Sequence, residues 1–124
     1  MKVIIAGNSA ITDEAAVYKA IEASKFIITE VVCGSVPGPD QIGEQWAKLH
    51  SIPIKYFKAN VGEYGKTATV IRDKQMANYA DALISVQSDK SHSTNYVVQC
   101  AKRIGLKVYT YKVKHGTSNN RPLV

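Results

Sequence analysis

Short β-branched runs alternate along the chain with longer amphipathic segments, and this alternation restricts the fold more than any other feature. Runs rich in Val and Ile favour strands, whereas apolar residues at three- and four-residue spacing favour helices. The strand-like runs are Lys2 to Ala6, Glu30 to Cys33, Ile54 to Phe57, Ala82 to Val86 and Lys107 to Val113. The helix-like segments are Thr12 to Ser24, Asp40 to His50, Thr67 to Tyr79 and Thr94 to Ile104. Because near-continuous apolar strands are usually covered on both faces, the pattern predicts an α/β fold of about five parallel strands between two helical layers.

The length of 124 residues, 45% of them hydrophobic, suffices for one core and leaves no room for a second domain. We therefore predict one domain over residues 1–113, followed by a polar, basic tail over 114–124 that is flexible or contacts a neighbouring subunit. No run approaches the roughly 18–20 apolar residues of a membrane span, and the apolar start is too short for a signal peptide. These features predict a cytoplasmic protein that does not contact membranes.

The two cysteines and the charge distribution exclude some classes of site. Cys33 and Cys100 lack the close-set Cys/His pairs of a zinc site, so we interpret both as reduced core residues. Residues 1–89 hold nine Lys/Arg against ten Asp/Glu, whereas residues 90–124 hold seven Lys/Arg and no acid. The basic excess attracts phosphate-bearing partners or is simply a solvated helix face and tail, and scattered lysines alone do not form a phosphate track.

The loops that leave the strands are the expected place for a ligand, because open parallel sheets bind ligands at the carboxyl ends of their strands. Small or hydroxyl-bearing residues are concentrated there. The loops are Gly7-Asn8-Ser9, Gly34-Ser35-Val36-Pro37-Gly38-Pro39-Asp40, residues 60–66 and residues 87–94. None matches the G-x-G-x-x-G or P-loop pattern, and we predict neither a cofactor nor a metal ion.

These loops carry a resemblance to a known family. The motifs that carry it are the two loops Gly7-Asn8-Ser9 and Gly34 to Asp40, then Tyr64-Gly65-Lys66, Ile71-Arg72-Asp73-Lys74-Gln75-Met76, Ala80 to Ile84 and Ser91-His92-Ser93-Thr94. With these motifs the chain resembles the SLOG superfamily, a Rossmann-like doubly wound group that includes the LOG phosphoribohydrolases and the DprA core, and especially its small YspA-like members. The resemblance covers about residues 1–111.

The chain departs from the family pattern at several ligand loops. Ser9 and Pro37 stand where the family has arginines, and Ser35 and Ser93 stand where it has glycines. LOG enzymes cleave an N-glycosidic bond with an Arg and with a Glu after a Gly-rich loop, but here Thr94 is followed by Asn95-Tyr96-Val97. The resemblance therefore implies a nucleotide ligand more strongly than it implies a reaction.

Asp40 and Glu44 are the candidates for catalysis if the protein is an enzyme, because their spacing places both on one helix face and glycoside chemistry needs a carboxylate near the ribose. The alternatives are that Asp40 caps the helix and that Glu44 is solvated. In the binding hypothesis, Asp40 accepts hydrogen bonds from ribose hydroxyls. The sugar would then lie near this residue.

The phosphates are expected at Arg72, whose fork-shaped guanidinium suits bidentate contacts, and at the Ser91 to Thr94 loop before a helix N-terminus. The alternatives are a surface ion pair of Arg72 with Asp73 or Glu44, and an ordinary capping loop. The residues predicted to bind the ligand are Gly7, Asn8, Ser9, Gly34, Ser35, Gly38, Asp40, Tyr64, Lys66, Arg72, Ser91, His92, Ser93 and Thr94.

The leading hypothesis is a homo-oligomer, a dimer or larger, that binds a nucleotide or ADP-ribose-like ligand without turnover, as a sensor or sequestering protein. A LOG-type nucleotide N-glycosidase is the first alternative. The second is DprA-like nucleic-acid binding, which the basic C-terminal third favours but which ranks last because scattered lysines alone do not form a phosphate track.

Overall fold

The computed structural model describes residues 1–88 and 95–113. Its five strands form one all-parallel sheet in the order β3-β2-β1-β4-β5, which confirms the predicted fold class. The strands are β1 (Lys2–Gly7), β2 (Glu30–Cys33), β3 (Ile54–Tyr56), β4 (Ala82–Ser88) and β5 (Lys107–Val113). The helices are α1 (Glu14–Ser24), α2 (Pro39–Leu49), α3 (Val61–Tyr64), α4 (Ala68–Tyr79) and α5 (Tyr96–Ile104), with a 3₁₀ turn over Gly65–Thr67. The predicted tail, 114–124, lies outside the described residues.

Helices cover both faces of the sheet, and the alternation of side chains along β1 shows why. Val3 and Ile5 pack in a buried cluster with residues of α1 and α2, whereas Ile4 and Ala6 pack in a second cluster with residues of α4 and α5. Successive side chains of a strand point to opposite faces, so a strand of continuous apolar residues needs both layers. The doubly wound arrangement follows directly from this composition.

All four predicted helix starts differ by one or two residues from the observed boundaries. The side chain of Asp13 accepts a hydrogen bond from Ala15 N (3.0 Å) and caps α1, so the helix begins at Glu14 instead of Thr12. Gly38, with φ of 95°, precedes α2, and Pro39 takes the first helical position. Asp40 therefore lies inside α2, and the alternative that it caps the helix is wrong.

The three- and four-residue spacing of Ile42, Trp46 and Leu49 predicts one apolar face for α2, and this prediction is only partly right. Ile42 is buried as expected, but Leu49 is 71% exposed because it is the last residue of the helix, beyond the end of the packed face. Trp46 is half-buried, and its ring stacks on His50 with 4.5 Å between ring centroids. Cys33 and Cys100 are both buried and unbonded to each other, as predicted.

A short segment after β3, residues 60–67, has no buried residue. It contains α3 and the 3₁₀ turn, and it brings Val61 (63% exposed) and Tyr64 (42% exposed) to the surface. Over the described ranges, no helix combines the length and apolar character needed to cross a membrane.

Candidate functional site

A cleft of about 150 Å³ opens at the carboxyl edge of the sheet. After β1 the chain continues to α1 on one face of the sheet, whereas after the neighbouring β4 it continues to α5 on the opposite face. The two connections therefore diverge at the carboxyl ends of these strands. Such a switch point is where parallel sheets leave a crevice. The lining residues are Ala6, Gly7, Val36, Pro37, Asp40, Arg72, Asp73, Met76, Asn95, Tyr96 and Val97.

Two of the loop glycines are required by contacts within the protein itself. A Cβ atom on Gly7 would lie 1.9 Å from the carbonyl oxygen of Val86, and one on Gly38 would lie 2.8 Å from Cα of Ser9. Gly38 also has a positive φ, which side-chain-bearing residues rarely adopt. These glycines therefore let backbone approach backbone within the protein.

Arg72 reaches the cleft from α4 and is 6% exposed. Its Nε donates to Oδ1 of Asp73 (2.8 Å), and its Nη1 donates to the carbonyl oxygen of Gly34 (2.8 Å). A guanidinium has five N–H donors, so these two bonds leave three, and none of them bonds to another described residue. The predicted alternative, a surface ion pair, is wrong in one respect because the pair with Asp73 is buried.

Gly34 is the residue that makes this position of Arg72 possible. A Cβ atom there would lie 2.9 Å from Nη1 of Arg72 and 3.1 Å from Sδ of Met76. The carbonyl group of the same residue accepts the guanidinium bond. The loop after β2 thus fixes the cation at the wall of the cleft.

Asp40 fixes that loop from the other side. It is 7% exposed, and its Oδ2 accepts from Gly34 N (3.1 Å) while its Oδ1 accepts from the thiol of Cys33 (2.9 Å). Burial raises the pKa of the Asp40 carboxyl, although these two hydrogen bonds partly oppose the shift. Burial and the neighbouring Asp40 charge raise the pKa of the Cys33 thiol to about 12, so this thiol is a hydrogen-bond donor and not a nucleophile.

Glu44 contacts the same thiol but does not line the cleft. The carboxylate Oε1 lies 3.8 Å from Cys33 Sγ, so Asp40 and Glu44 do share one helix face as predicted. Oε2 accepts from the Tyr56 hydroxyl (2.7 Å) and pairs with Lys48 (3.3 Å). The hydrogen bond from Tyr56 is the main reason that the pKa of Glu44 is lowered. The carboxylate is therefore engaged on the outer side of the loop.

Eight lining residues were absent from the predicted ligand set, and two of them, Asp73 and Asn95, make polar side-chain contacts at the site. Asp73 balances Arg72, yet burial outweighs this ion pair and leaves the pKa of its carboxyl raised. Asn95 precedes α5, and its Nδ2 donates to the carbonyl oxygen of Gly7 (2.8 Å), which joins β1 to the start of the helix. The signal for both was available, since Asp73 follows Arg72 and Asn95 is a favoured residue before a helix.

The structure brings only part of the predicted ligand set together. Gly7, Asp40 and Arg72 line the cleft, and Gly34 contacts Arg72 directly. The other described candidates, none of which is in the lining, are Asn8, Ser9, Ser35, Gly38, Tyr64 and Lys66. Ser91, His92, Ser93 and Thr94 lie outside the described residues.

Asn8 and Ser35 have local backbone roles. Oδ1 of Asn8 accepts from Ala10 N (2.9 Å) and closes the turn after β1. Ser35 is exposed and has a φ of 60°, so it turns the chain after β2. Within residues 1–88 and 95–113, no group of three or more His, Cys, Asp or Glu residues is arranged to hold a metal ion.

Comparisons of the chain with protein-family models, with curated proteins and with solved structures found no match.

Proposed function

We propose that the protein binds a small phosphate-bearing ligand of the nucleotide or ADP-ribose class in this cleft, without turnover, as a SLOG-like sensor or sequestering protein. The observation that carries the proposal is the buried guanidinium of Arg72, which lines the cleft with three N–H donors that bond to no other residue in the described ranges 1–88 and 95–113. Buried donors without partners cost about 1–3 kcal/mol each, so a cleft that keeps them favours an incoming acceptor. Phosphate oxygens fit the fork geometry of this group.

The acids of the cleft limit the negative charge that a ligand can bring. Asp40 and Asp73 both line it, and both carboxyl groups have a raised pKa because they are buried. Carboxylates accept hydrogen bonds from sugar hydroxyls and repel a phosphate that comes too close. The arrangement favours a ribose near the acids and a single phosphate group at Arg72.

The size of the cleft supports the binding of a ribose-phosphate portion rather than a whole nucleotide. Ligand pockets usually measure about 300–1,000 Å³, whereas the cleft formed by the described residues measures about 150 Å³. The base must therefore extend beyond this part of the site. We assign it to the exposed segment of residues 60–67, where Tyr64 offers an aromatic face.

Binding without turnover is supported by the engagement of both candidate catalytic carboxylates. Each oxygen of Asp40 already accepts a protein hydrogen bond, and Glu44 lies outside the lining. Glycoside cleavage needs a carboxylate placed beside the sugar ring. No described contact favours the N-glycosidase or the nucleic-acid alternative.

Isothermal titration calorimetry with AMP, ADP and ADP-ribose tests the proposal. Loss of a charge-assisted, bidentate contact costs about 1.5–3 kcal/mol, so Arg72→Lys, which keeps the charge but loses the fork, should weaken binding by about 10-fold or more. Lys112→Ala, which removes an exposed charge on the edge strand β5 outside the cleft lining, should change affinity less than about twofold because salt screens exposed charges that make no direct contact.

Two results would contradict the proposal. One is a failure of all three compounds to bind the wild-type protein at millimolar concentration. The other is equal affinity of the Arg72→Lys and Lys112→Ala variants for the best of them. Chromatography of the incubated compounds should show no released base, and base release that is abolished by Asp40→Asn would indicate the N-glycosidase instead.

We further propose that the protein is a homo-oligomer in which a second subunit covers the cleft. Val61 and Tyr64 are large hydrophobic residues exposed in the segment of residues 60–67, and exposed residues of this kind favour packing against a second subunit. Multi-angle light scattering should show a dimer or larger. A monomer at concentrations of tens of micromolar, with and without nucleotide, would contradict this assembly.

A further inference from the structure

A second concave surface lies between α4 and α5, on the outer side of the helical layer. This groove has a volume of about 150 Å³ and shares no residue with the cleft at the carboxyl edge. The lining residues are Lys74, Ala77, Asn78, Cys100, Arg103 and Ile104. Ile104 is 48% exposed although it is a large apolar residue, and the buried Cys100 (4% exposed) forms part of the groove's apolar wall.

The groove is surrounded by positive charge. α4 and α5 together hold the cations Arg72, Lys74, Lys102 and Arg103 against the single acid Asp73, which is already paired with Arg72. The described part of the chain contains two ion pairs, Lys48–Glu44 and Arg72–Asp73. Lys74 and Arg103 belong to neither, so no described acid forms an ion pair with either cation beside the groove.

We propose that this groove binds an acidic, amphipathic segment of a partner protein. One apolar side chain of that segment would enter between Ala77 and Ile104, and carboxylates on either side of it would face Lys74 and Arg103. Helical segments commonly dock into grooves in this way, with the apolar anchor giving affinity and the flanking charges giving specificity and rate.

Charge and composition decide against the other occupants. A second copy docked by a two-fold axis would set Lys74 and Arg103 against the same cations of its partner, and the whole chain carries a formal charge of +6. Nucleic acid is bound by basic grooves that also stack bases on aromatic rings, and none of the described residues that line this groove is aromatic. An acidic protein segment satisfies both the charge and the apolar wall.

Fluorescence anisotropy with a labelled synthetic peptide tests the inference. The probe is a helix-forming peptide of about 14 residues with one central Leu flanked by Glu one turn away on each side. Its two controls are the same peptide with Lys in place of Glu and the same peptide with Ala in place of Leu. We expect the acidic probe to bind at micromolar to submillimolar concentration, with an affinity that falls as salt is added, and both control peptides to bind at least about fivefold more weakly.

Matched charge reversals separate a local contact from general attraction. Lys74→Glu and Arg103→Glu should each weaken binding by about 5- to 30-fold, because each places a carboxylate against the acidic probe. Lys102→Glu is the control, since Lys102 lies in the same last turn of α5 as Arg103 and is also exposed, but does not line the groove. It should change affinity less than about threefold.

Folding of each variant is checked by circular dichroism, and heteronuclear NMR of the wild-type protein should show probe-induced shifts concentrated at the groove residues of α4 and α5. Equal losses for Lys102→Glu and Arg103→Glu would show non-specific attraction and overturn the proposal. Tighter binding of a labelled single-stranded oligonucleotide, with the same dependence on the variants, would overturn the proposal and assign the groove to nucleic acid. An oligomer that Arg103→Glu dissociates would also overturn it and assign the groove to a second copy of the chain. Failure of the wild-type protein to bind the acidic probe at millimolar concentration would also overturn it.

Discussion

Replacing Arg72 by Met tests whether this guanidinium holds the wall of the cleft as well as serving a ligand. Arg72 is 6% exposed, donates to Asp73 Oδ1 at 2.8 Å and donates to the Gly34 carbonyl at 2.8 Å. Met keeps a long unbranched side chain that can fill much of the space, so the variant removes the charge and the donors with little change in volume. Both acceptors are then left without this donor.

The size of the effect follows from the burial of those acceptors. Breaking a buried ion pair by removing one partner costs about 3–5 kcal/mol, because the other charge stays desolvated. Asp73 is 16% exposed at its side chain and its pKa is already raised by burial, so it can take up a proton and limit the penalty. We therefore expect a loss of about 3 kcal/mol at pH 7. For a chain of 124 residues, this corresponds to a fall in Tm of about 12 °C.

Urea unfolding, followed by circular dichroism, measures this loss, and its pH dependence gives a sign that can be checked. When the pKa of a carboxyl group is higher in the folded state than in the unfolded state, the folded state holds its proton more tightly. The stability of the fold then falls as the pH rises from the unfolded-state pKa through the folded-state pKa. Removing Arg72 raises the pKa of Asp73 further, because the cation had lowered it. The deficit of the Arg72→Met variant relative to wild type should therefore be smaller at pH 5 than at pH 8.

A double-variant cycle with Asp73→Asn isolates the pair from its surroundings. If the charge of Asp73 causes most of the penalty, Arg72→Met with Asp73→Asn should be clearly more stable than the sum of the two single losses predicts, by about 1–2 kcal/mol. A loss below about 1 kcal/mol for Arg72→Met, or strictly additive single effects at pH 8, would refute the reasoning.

Three other substitutions probe the strand ends and their loops. Gly7→Ala should cost about 2 kcal/mol or more by urea unfolding, because its Cβ would overlap backbone between two central strands, and a cost below about 0.5 kcal/mol would contradict this overlap. Asp40→Ala should lower the free energy of unfolding by about 1–3 kcal/mol because it leaves the buried Gly34 N–H without an acceptor. Asp40→Asn keeps one acceptor and should lower it less, and equal losses of stability for the two variants would show that this bond does not hold the loop. Glu44→Gln should bring the pKa of Tyr56 down from about 12 toward its ordinary value, because the hydrogen bond to the Glu44 carboxylate is the main cause of the shift. Spectrophotometric titration measures this pKa, with Tyr56→Phe to assign the signal, and an unchanged titration would show that the shift has another cause.

Much of the fold was predictable because its determinants are local or nearly so. The β-branched runs and the amphipathic spacing specified all five strands and the four longer helices to within a few residues. The remaining errors arose where one side chain decides a boundary: Asp13 caps α1 from outside the helix, and Leu49 ends α2 beyond its packed face. The strand order was not predicted, because the rules for parallel sheets restrict the possible orders without choosing one.

The sequence by itself determined that a cleft lies at the carboxyl ends of the strands and that Asp40 and Arg72 belong to it. Only the tertiary structure decided what these residues do there. Asp40 accepts a hydrogen bond from the Gly34 amide, and Arg72, which is distant from both in the chain, donates one to the Gly34 carbonyl. The packing of the helices against the sheet brings these three residues together. A pattern of residue types specifies which groups reach an edge of the sheet, whereas burial and hydrogen-bond geometry, which depend on every neighbouring element, decide which of their atoms remain for a ligand.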